Sequence, residues 1–319
     1  MTCFDSITLP HAPPEHHTVD AVSESHGVTP RASRMYARFY GQQSVLMVRQ
    51  PHAKMLSLSL SRLTSERAEL AQMQGTLIYT KTQTHNTPAE TNWLRSLADE
   101  AGLTGWEVAT LSMTNCASAL AAIHAFADQD QPLIIVAGEK AFHPTGNRLA
   151  VGLLGEAPAA ALFLPRAGRR VRSSCVKHLP QFFRNPDDMD EASKAVLPAA
   201  FELGLEDFLT ACIDADPAFF AQNPVLVPYN LNVPLVTRVL TKLNLQELVQ
   251  QGHSGAFGHT FCSDPFLNMV THPLPTDRPL FVFCAGMGVT YAAVSFDADS
   301  RLSSAIQTPT DTNPKKEIL

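Results

Sequence analysis

The chain has 319 residues, of which 45% are apolar and 17% charged, and its formal net charge is −6. This length can bury the cores of two domains or of one large domain. The negative charge balance gives no electrostatic basis for binding nucleic acid or an anionic membrane surface. There is no apolar run of about 18 residues, and the N-terminus lacks the basic and apolar segments of a signal peptide. We therefore expect a soluble, cytoplasmic globular protein without a nucleic-acid or membrane partner.

The cysteines and histidines do not show the spacing of a disulfide framework or of a metal site. The six cysteines are Cys3, Cys116, Cys175, Cys212, Cys262 and Cys284. Their scatter favours reduced thiols, as in a cytoplasmic protein. His259 and Cys262 are three residues apart, but no second pair completes a zinc site, so we expect no metal.

The first half of the chain alternates predicted helices with apolar runs of strand length. The predicted strands are 3–9, 75–85, 106–113, 132–141 and 159–165, and the predicted helices are 32–43, 55–74, 90–103 and 117–127. Residues 10–20 are rich in proline and histidine, which predicts a loop.

The second half repeats this alternation. The predicted elements are a basic edge strand at 167–174, helices at 188–215 and 233–245, a strand at 224–232, a glycine-rich loop entering a short helix at 252–270, and two strands within 279–297. The pattern predicts a layered α/β protein with mostly parallel strands. We expect two related halves, 1–165 and 166–307, and a polar tail at 308–319.

The stretch "MTNCASALAAIHAF", residues 113–126, places Cys116 at the start of an alanine-rich helix. Thr114 and Asn115 are good N-cap residues, and a thiol at a helix N-terminus is favoured as the thiolate. The helix has few polar residues, which indicates that it is buried on nearly every side. Cysteine is also a common small core residue, so the stretch alone leaves a reactive and a structural interpretation open.

Six segments in order resemble the motifs of the ketosynthase III-type enzymes of the thiolase superfamily. They are "ATLSMTNCASALAAI", "LIIVAGEKA", "GLLGEAPAAALFL", "VPYNLNVPLV", "GHTFCSDPF" and "CAGMGVTYAAVSF". The resemblance covers roughly residues 75–297 and places Glu156 where the family has an aspartate. It implies a thiolase-like five-layer αβαβα fold built from two similar halves, an acyl group carried on Cys116, and a dimer.

The residues facing the cysteine depart from the family pattern. The family uses a Cys-His-Asn triad, whereas here the histidine position falls on Tyr229 and the asparagine position on His259. In the condensing enzymes that the resemblance implies, this pair holds the thioester carbonyl during decarboxylation, and tyrosine and histidine do not reproduce it. Residues 26–50 contain no counterpart of the family's coenzyme A-binding stretch, so no binding residue is assigned there.

An acyl transfer needs a nucleophile, a base and donors for the oxyanion. We expect Cys116 to be the nucleophile and the backbone N–H groups of Cys116 and of Gly286 or Gly288 to form the oxyanion hole, although these glycines can also simply make a tight turn. His259 is the expected base, because imidazole titrates near neutral pH.

Four further residues are expected around this pair. Asp264 can orient the His259 imidazole, or it can act only as a helix N-cap before Pro265. Tyr229, Asn230 and Asn232 are expected to line the pocket, and Asn232 falls on the closing asparagine of the family motif, where it can be structural.

The sequence therefore predicts an acyltransferase of specialised-metabolite biosynthesis. It would load an acyl group from an acyl-CoA or acyl-carrier-protein thioester onto Cys116 and pass it to a hydroxyl or amine. The thioester, of coenzyme A or phosphopantetheine, is a substrate, and no permanently bound cofactor is expected. The alternatives are a decarboxylative β-ketoacyl synthase, a non-catalytic subunit of a heterodimer in place of the expected homodimer, and a papain-like hydrolase, whose local signature is absent.

Overall fold

The structure is a computed structural model that describes residues 2–82, 91–112, 114–182, 189–250, 257–271, 274–286 and 289–299. The strands are β1 (Thr2–Thr8), β2 (Glu15–Thr18), β3 (Ser44–Met47), β4 (Thr76–Thr80), β5 (Glu107–Leu111), β6 (Leu133–Ala137), β7 (Arg148–Leu149), β8 (Gly152–Leu153), β9 (Ala159–Pro165), β10 (Arg169–His178), β11 (Val225–Val227), β12 (Leu280–Gly286) and β13 (Thr290–Phe296). The α-helices are α1 (Val19–Val22), α2 (Pro30–Arg38), α3 (His52–Glu66), α4 (Trp93–Glu100), α5 (Ser118–Phe126), α6 (Glu191–Ala215), α7 (Pro217–Phe220), α8 (Val233–Lys242) and α9 (Asp264–Thr271).

A mixed nine-stranded sheet in the order β11-β12-β13-β10-β1-β9-β6-β4-β5 runs through the molecule. Five of its strands come from the first half of the chain and four from the second. The two parts meet where β1 pairs with β10, through Cys3 with Arg170 and Phe4 with Arg169. Because so few residues pair at this junction, the two parts form two sheets that are joined only where β1 meets β10.

Helix α5 lies between the two parts of the sheet. It packs against β4 and β6 on one side and against β10, β12 and β13 on the other. Its alanines Ala119 and Ala122 are fully buried, because a helix enclosed by strands on both sides has no face left for polar residues. Helix α9 contacts β9, β11 and β12 and belongs to the same central layer.

Two outer layers complete the stack. Helices α3 and α4 cover the first part of the sheet, where Leu56 and Leu60 pack in one core with Tyr79. Helices α6 and α8 cover the second part, where Phe208 and Val239 pack in the other. The result is a five-layer αβαβα stack, and the predicted thiolase-like α/β fold class is confirmed. The predicted boundary at residues 165 and 166 falls between β9 and β10, and the predicted tail lies outside the described residues.

The prediction of mostly parallel strands is wrong. Strand β4 is parallel to β5 and β6, and β11 is parallel to β12, but β9, β10 and β13 run antiparallel to their neighbours. Strand β13 follows β12 after only residues 287–289, whereas a parallel crossover needs about a dozen residues. Strands β9 and β10 run in the same direction as each other, and β1 lies between them and runs antiparallel to both.

Two local predictions are also wrong. Residues 10–20 include β2, which pairs with β3 in the stretch between the predicted helices 32–43 and 55–74, where no strand is predicted. Strand β10 is not an edge strand, because it lies between β1 and β13. Its basic side chains have partners in the fold. Arg169 is buried and donates to the carbonyl oxygens of Arg278, Asp297 and Pro275, and Arg172 pairs with Asp216.

None of the helices in the described ranges combines the length and apolar composition needed to cross a membrane.

The tight central layer predicts that Ala122→Leu destabilises the fold, because the added methylenes have no space between the two parts of the sheet. We expect a loss of about 1–3 kcal/mol in the free energy of unfolding, measured by urea denaturation. Ala192→Leu, on the exposed first turn of α6, is the matched control and should change stability by less than about 0.5 kcal/mol. Equal effects of the two substitutions would contradict the placement of α5.

Candidate active site

Cys116 lies in a short turn between β5 and α5. Residues Asn115–Ala117 form a 3-10 helix, and Asn115 has a left-handed backbone with a φ of 49°. Cys116 is 5% exposed. The predicted capping is not observed. The N-cap residue of α5 is Ala117, which has no side-chain cap, and the Thr114 hydroxyl instead contacts the hydroxyl of Ser118 at 2.9 Å. The turn therefore places the cysteine just before the helix, inside the molecule.

Two other buried cysteines hold the backbone of this turn. The Cys284 thiol donates to the carbonyl oxygen of Cys116 at 3.3 Å, and the Cys262 thiol donates to that of Asn115 at 3.2 Å. Burial raises the pKa of both thiols, so they remain protonated donors. Neither residue has a role predicted from the sequence, where the only signal is that each lies within a motif of the resemblance.

Gly286, at the end of β12, lies directly against the Cys116 turn. A Cβ atom at this position would overlap the carbonyl oxygen of Thr114 and approach the backbone nitrogen of Ala117 to 3.3 Å. Glycine is therefore needed for the close approach of the strand to the Cys116 turn. Gly288, the other expected oxyanion-hole residue, lies outside the described residues.

His259 is fully buried beside the strand end at β8. Its backbone carbonyl accepts the N–H of Gly155 at 2.8 Å, and residue 259 forms a β-bridge with Leu154. Its Nδ1 atom lies 3.2 Å from Oδ2 of Asp264. Within the described ranges neither ring nitrogen has an aligned hydrogen bond, so this contact is an ion pair. The structure thus brings His259 and Asp264 together and shows that His259 is not an exposed loop histidine.

The Asp264 carboxylate accepts hydrogen bonds from three chain segments. Its Oδ1 accepts the N–H of Thr260 at 3.2 Å, and its Oδ2 accepts the N–H of Asn230 at 2.9 Å and the side-chain amide of Asn268 at 3.1 Å. The carboxylate is fully buried. Asp264 begins α9, yet its side chain satisfies groups around His259. Asn268, which the sequence analysis missed, lies one helical turn further along α9 and could have been found from that spacing.

Opposing effects act on the charge of His259. Burial alone lowers the pKa of this imidazole, but the charges of Asp264 and Cys116 outweigh burial and raise the pKa to about 10. His259 is therefore an imidazolium at neutral pH, close to both a carboxylate and the Cys116 sulfur.

Tyr229 follows β11 and faces the same cluster. Its ring centroid lies 6.3 Å from that of His259, edge to face. The hydroxyl is buried and has no hydrogen-bond partner in the part of the chain that the structure describes. Burial raises its pKa, and the charges of Asp264 and Cys116 add to the shift. The hydroxyl is thus a neutral donor without an acceptor among the residues that the structure describes.

The two asparagines after Tyr229 occupy different places. Asn230 is buried and, besides its bond to Asp264, donates its side-chain amide to Asn268 at 2.6 Å. Asn232 is the N-cap residue of α8, half-buried, with a left-handed φ of 51°. The structure places Asn230 in the network around Asp264 and Asn232 at the start of a helix. In the described ranges no three His, Cys, Asp or Glu side chains converge to hold a metal ion.

The raised pKa of His259 predicts a pH-dependent contribution to stability. In the unfolded chain its pKa is near 6.5, so the folded state binds this proton more tightly, and the resulting stabilisation is complete below pH 6.5 and disappears as the pH rises through about 10. We therefore expect the free energy of unfolding of the wild type, relative to His259→Gln, to fall by more than about 1 kcal/mol between pH 6 and pH 10.

Urea denaturation at several pH values measures this difference. His124→Gln, at an exposed position of α5, is the control for losing an imidazole elsewhere and should show no comparable trend. A difference for His259→Gln that stays constant or grows with pH would show that His259 is not held as the imidazolium.

Comparison with known proteins extends this description. No protein-family model matches the chain, and no curated protein matches its sequence. Solved structures do match. The acyltransferase ChlB3 has a TM-score of 0.77 at 12% identity, and the match covers 93% of this chain and 97% of ChlB3.

Condensing enzymes match over a similar extent. The 3-oxoacyl-(acyl carrier protein) synthase III FabH from Pseudomonas aeruginosa PAO1 has a TM-score of 0.71 at 15% identity, covering 93% of this chain and 98% of that one. The tetronic acid condensing enzyme AbyA1 has a TM-score of 0.70 at 11% identity, covering 93% and 100%. The TM-scores establish the fold, and at identities this low the comparison extends no further than the fold. The chain has the thiolase-like fold of the ketosynthase III-type enzymes that its sequence motifs resemble.

Proposed function

We propose that the protein is an acyltransferase that carries an acyl group on Cys116 and delivers it to a hydroxyl or amine. The observation that carries this proposal is the buried arrangement of a cysteine, an imidazolium and a carboxylate. His259 lies near enough to Cys116 for the sulfur charge to raise its pKa, and Oδ2 of Asp264 lies 3.2 Å from Nδ1 of the ring. A nucleophile, a proton carrier and an orienting carboxylate are the groups that acyl transfer requires.

The first half-reaction uses the proton that His259 holds. The Cys116 thiolate attacks the carbonyl carbon of an acyl-CoA or carrier-protein thioester, and the carbonyl oxygen becomes an oxyanion. The C–S bond to the donor then breaks, and His259 gives its proton to the departing thiolate. The products are the acyl-Cys116 thioester, the free donor thiol and a neutral imidazole.

The second half-reaction restores the starting charges. Acylation removes the negative charge of Cys116, which is one of the two charges that raise the pKa of His259. The neutral imidazole accepts a proton from the acceptor hydroxyl or amine as that group attacks the acyl carbon. Cys116 leaves as the thiolate beside a renewed imidazolium, so one group serves first as an acid and then as a base.

The acceptor assignment rests on the group that faces the imidazole. The Asp264 carboxylate stabilises an imidazolium, and a proton taken from a hydroxyl or amine produces one. Decarboxylative condensation requires instead that a carbanion form beside the same buried negative charge. The printed description of ChlB3 as an acyltransferase agrees with this proposal. The names of FabH and AbyA1 keep condensation as the second candidate.

Covalent loading tests the nucleophile. We expect incubation with a panel of acyl-CoA donors and an acyl-carrier protein to add one acyl mass to the wild type and none to Cys116→Ala, measured by intact mass spectrometry. His259→Ala should slow loading by about 10²–10⁴-fold, because the leaving thiolate then lacks its proton donor.

Cys175→Ala, which removes a more accessible thiol outside the site, is the matched control and should load normally. The absence of an adduct with every donor would overturn the proposal and favour a non-catalytic subunit. Release of CO₂ from a malonyl thioester by the loaded protein would instead establish condensation.

Tyr229→Phe tests whether the unpartnered hydroxyl serves the oxyanion. We expect loading to slow by about 10²–10³-fold, as on removal of an oxyanion donor. Stability should stay constant or rise by up to about 1 kcal/mol, because a buried polar group without a partner is removed. Rates come from the loading assay and stability from urea denaturation. A stable variant that loads at the wild-type rate would assign Tyr229 to packing alone.

A further inference from the structure

Cys175 and Cys212 bring their sulfur atoms within 2.9 Å of each other, away from the Cys116 turn and its hydrogen-bonded neighbours. Cys175 lies on β10, within the sheet, and Cys212 lies on α6, in the outer helical layer of the second half. We propose that these two thiols form a peroxide-sensitive dithiol that closes to an intramolecular disulfide and thereby fastens α6 to β10. This inference is independent of the proposed acyl transfer.

The accessibility of the cysteines separates this pair from the other four. Cys3, Cys116, Cys262 and Cys284 are buried, whereas Cys175 and Cys212 are half-buried. Both line a cavity of about 220 Å³, together with Ser173, Lys177 and Phe208. A cavity of this size admits hydrogen peroxide, so a small oxidant can reach this pair more easily than the buried thiols.

The positions of the two sulfur atoms are compatible with a covalent bond. A disulfide has an S–S length of about 2.05 Å, so closure needs an approach of less than about 1 Å. Cys175 is in register with Ala293 of β13, which fixes its place in the sheet. Cys212 lies near the end of α6, next to residues 216–220, so a small shift of the helix end suffices for closure.

The hydrogen bond between the thiols makes them chemically unequal. Donation from Cys212 lowers the pKa of Cys175, and the same pairing together with burial raises the pKa of Cys212 well above its ordinary value. Cys175 is therefore the better nucleophile, since the thiolate is the reactive form. Cys212 is the resolving thiol, held beside the sulfur that it must attack.

The reaction is balanced with one peroxide. The Cys175 sulfur attacks one oxygen of hydrogen peroxide, the O–O bond breaks, and sulfenic acid and one water form. The Cys212 sulfur then attacks the Cys175 sulfur, the S–O bond breaks, and the hydroxyl leaves as a second water with the Cys212 proton. Two thiols are oxidised to one disulfide, and one peroxide is reduced to two waters.

The bond would fasten the helix that supports β13. Phe208 of α6 stacks on Tyr291 of β13, and the Tyr291 hydroxyl donates to the carbonyl oxygen of Phe201 at 2.7 Å. The disulfide would close the chain between residues 175 and 212, which removes conformational freedom from the unfolded state. We therefore expect the oxidised protein to be more resistant to heat than the reduced protein.

Peptide mapping of the peroxide-treated wild type tests the proposal. Treatment with a small excess of hydrogen peroxide should lower the free thiols from six to four, remove two hydrogen atoms from the intact mass, and give one peptide in which Cys175 and Cys212 are linked. Dithiothreitol should reverse all three changes. The melting temperature should rise by about 5 °C on oxidation.

Two variants assign the roles of the thiols. In Cys212→Ser, Cys175 should stop at sulfenic acid, which dimedone traps, and in Cys175→Ser, Cys212 should stay reduced at the same dose. If Cys175 and Cys212 both remain alkylatable in the wild type after treatment, or if a linked peptide joins another pair, the proposal is wrong. A disulfide that forms without raising the melting temperature would refute the fastening of α6. Because the wild-type mapping decides the pairing alone, a variant that fails to fold does not remove the test.

Discussion

A single buried carboxylate organises the site. Asp264 has no access to water, and a charge in that position is tolerated only because donors surround it. Those donors come from the turn after β11, from the loop that carries His259 and from α9. The carboxylate therefore fixes three segments relative to one another and also places a negative charge beside the imidazole. Replacing it would remove the geometry and the charge of His259 together.

Backbone constraints also position the Cys116 turn. Asn115 adopts a left-handed backbone, and so do Phe261 and Val289. All three stand in or beside the segments that converge on Cys116, where the thiols of Cys262 and Cys284 also donate to the turn. Left-handed φ values cost energy for residues other than glycine, and they persist where surrounding contacts determine the backbone. The strained positions thus mark the place at which α5, β12 and the His259 loop meet.

Much of the fold was predictable from the order of the motifs, because the motifs around Cys116 and Tyr229 each combine a strand, a turn and a helix, and the others mark strands or a helix start. The buried character of α5 also followed from its composition, since a helix with so few polar residues has to be largely enclosed. The β2–β3 pair was not predictable in this way, because two short strands with helices between them leave no periodic signal. The direction of β13 was missed because it depends on the short connection to β12, and the directions of β9 and β10 were missed because β1 lies between them; the alternation of helices and strands shows neither feature.

The candidate site was predicted in part for the same reason. The motifs indicated Cys116, Tyr229 and His259, and spacing placed Asp264 near His259. Sequence could not show that His259 is protonated, because its pKa follows from burial and from two charges brought in by distant segments. Nor could the sequence show that Cys262 and Cys284 support the turn, since a buried cysteine is equally typical of a small core residue.

The position of β1 also determines the order in which the protein can form during synthesis. This first strand pairs with β9 and β10, whose residues follow it by more than 150 positions. At 5–20 residues per second, a ribosome needs on the order of ten seconds to make those partners. Until then β1 has no sheet to join, and α5 lacks the second half that covers its other side. The sheet of the first half can therefore be completed only after β9 has been made, and one side of α5 stays uncovered until β12 and β13 follow. The emerging first half exposes apolar surface in the meantime.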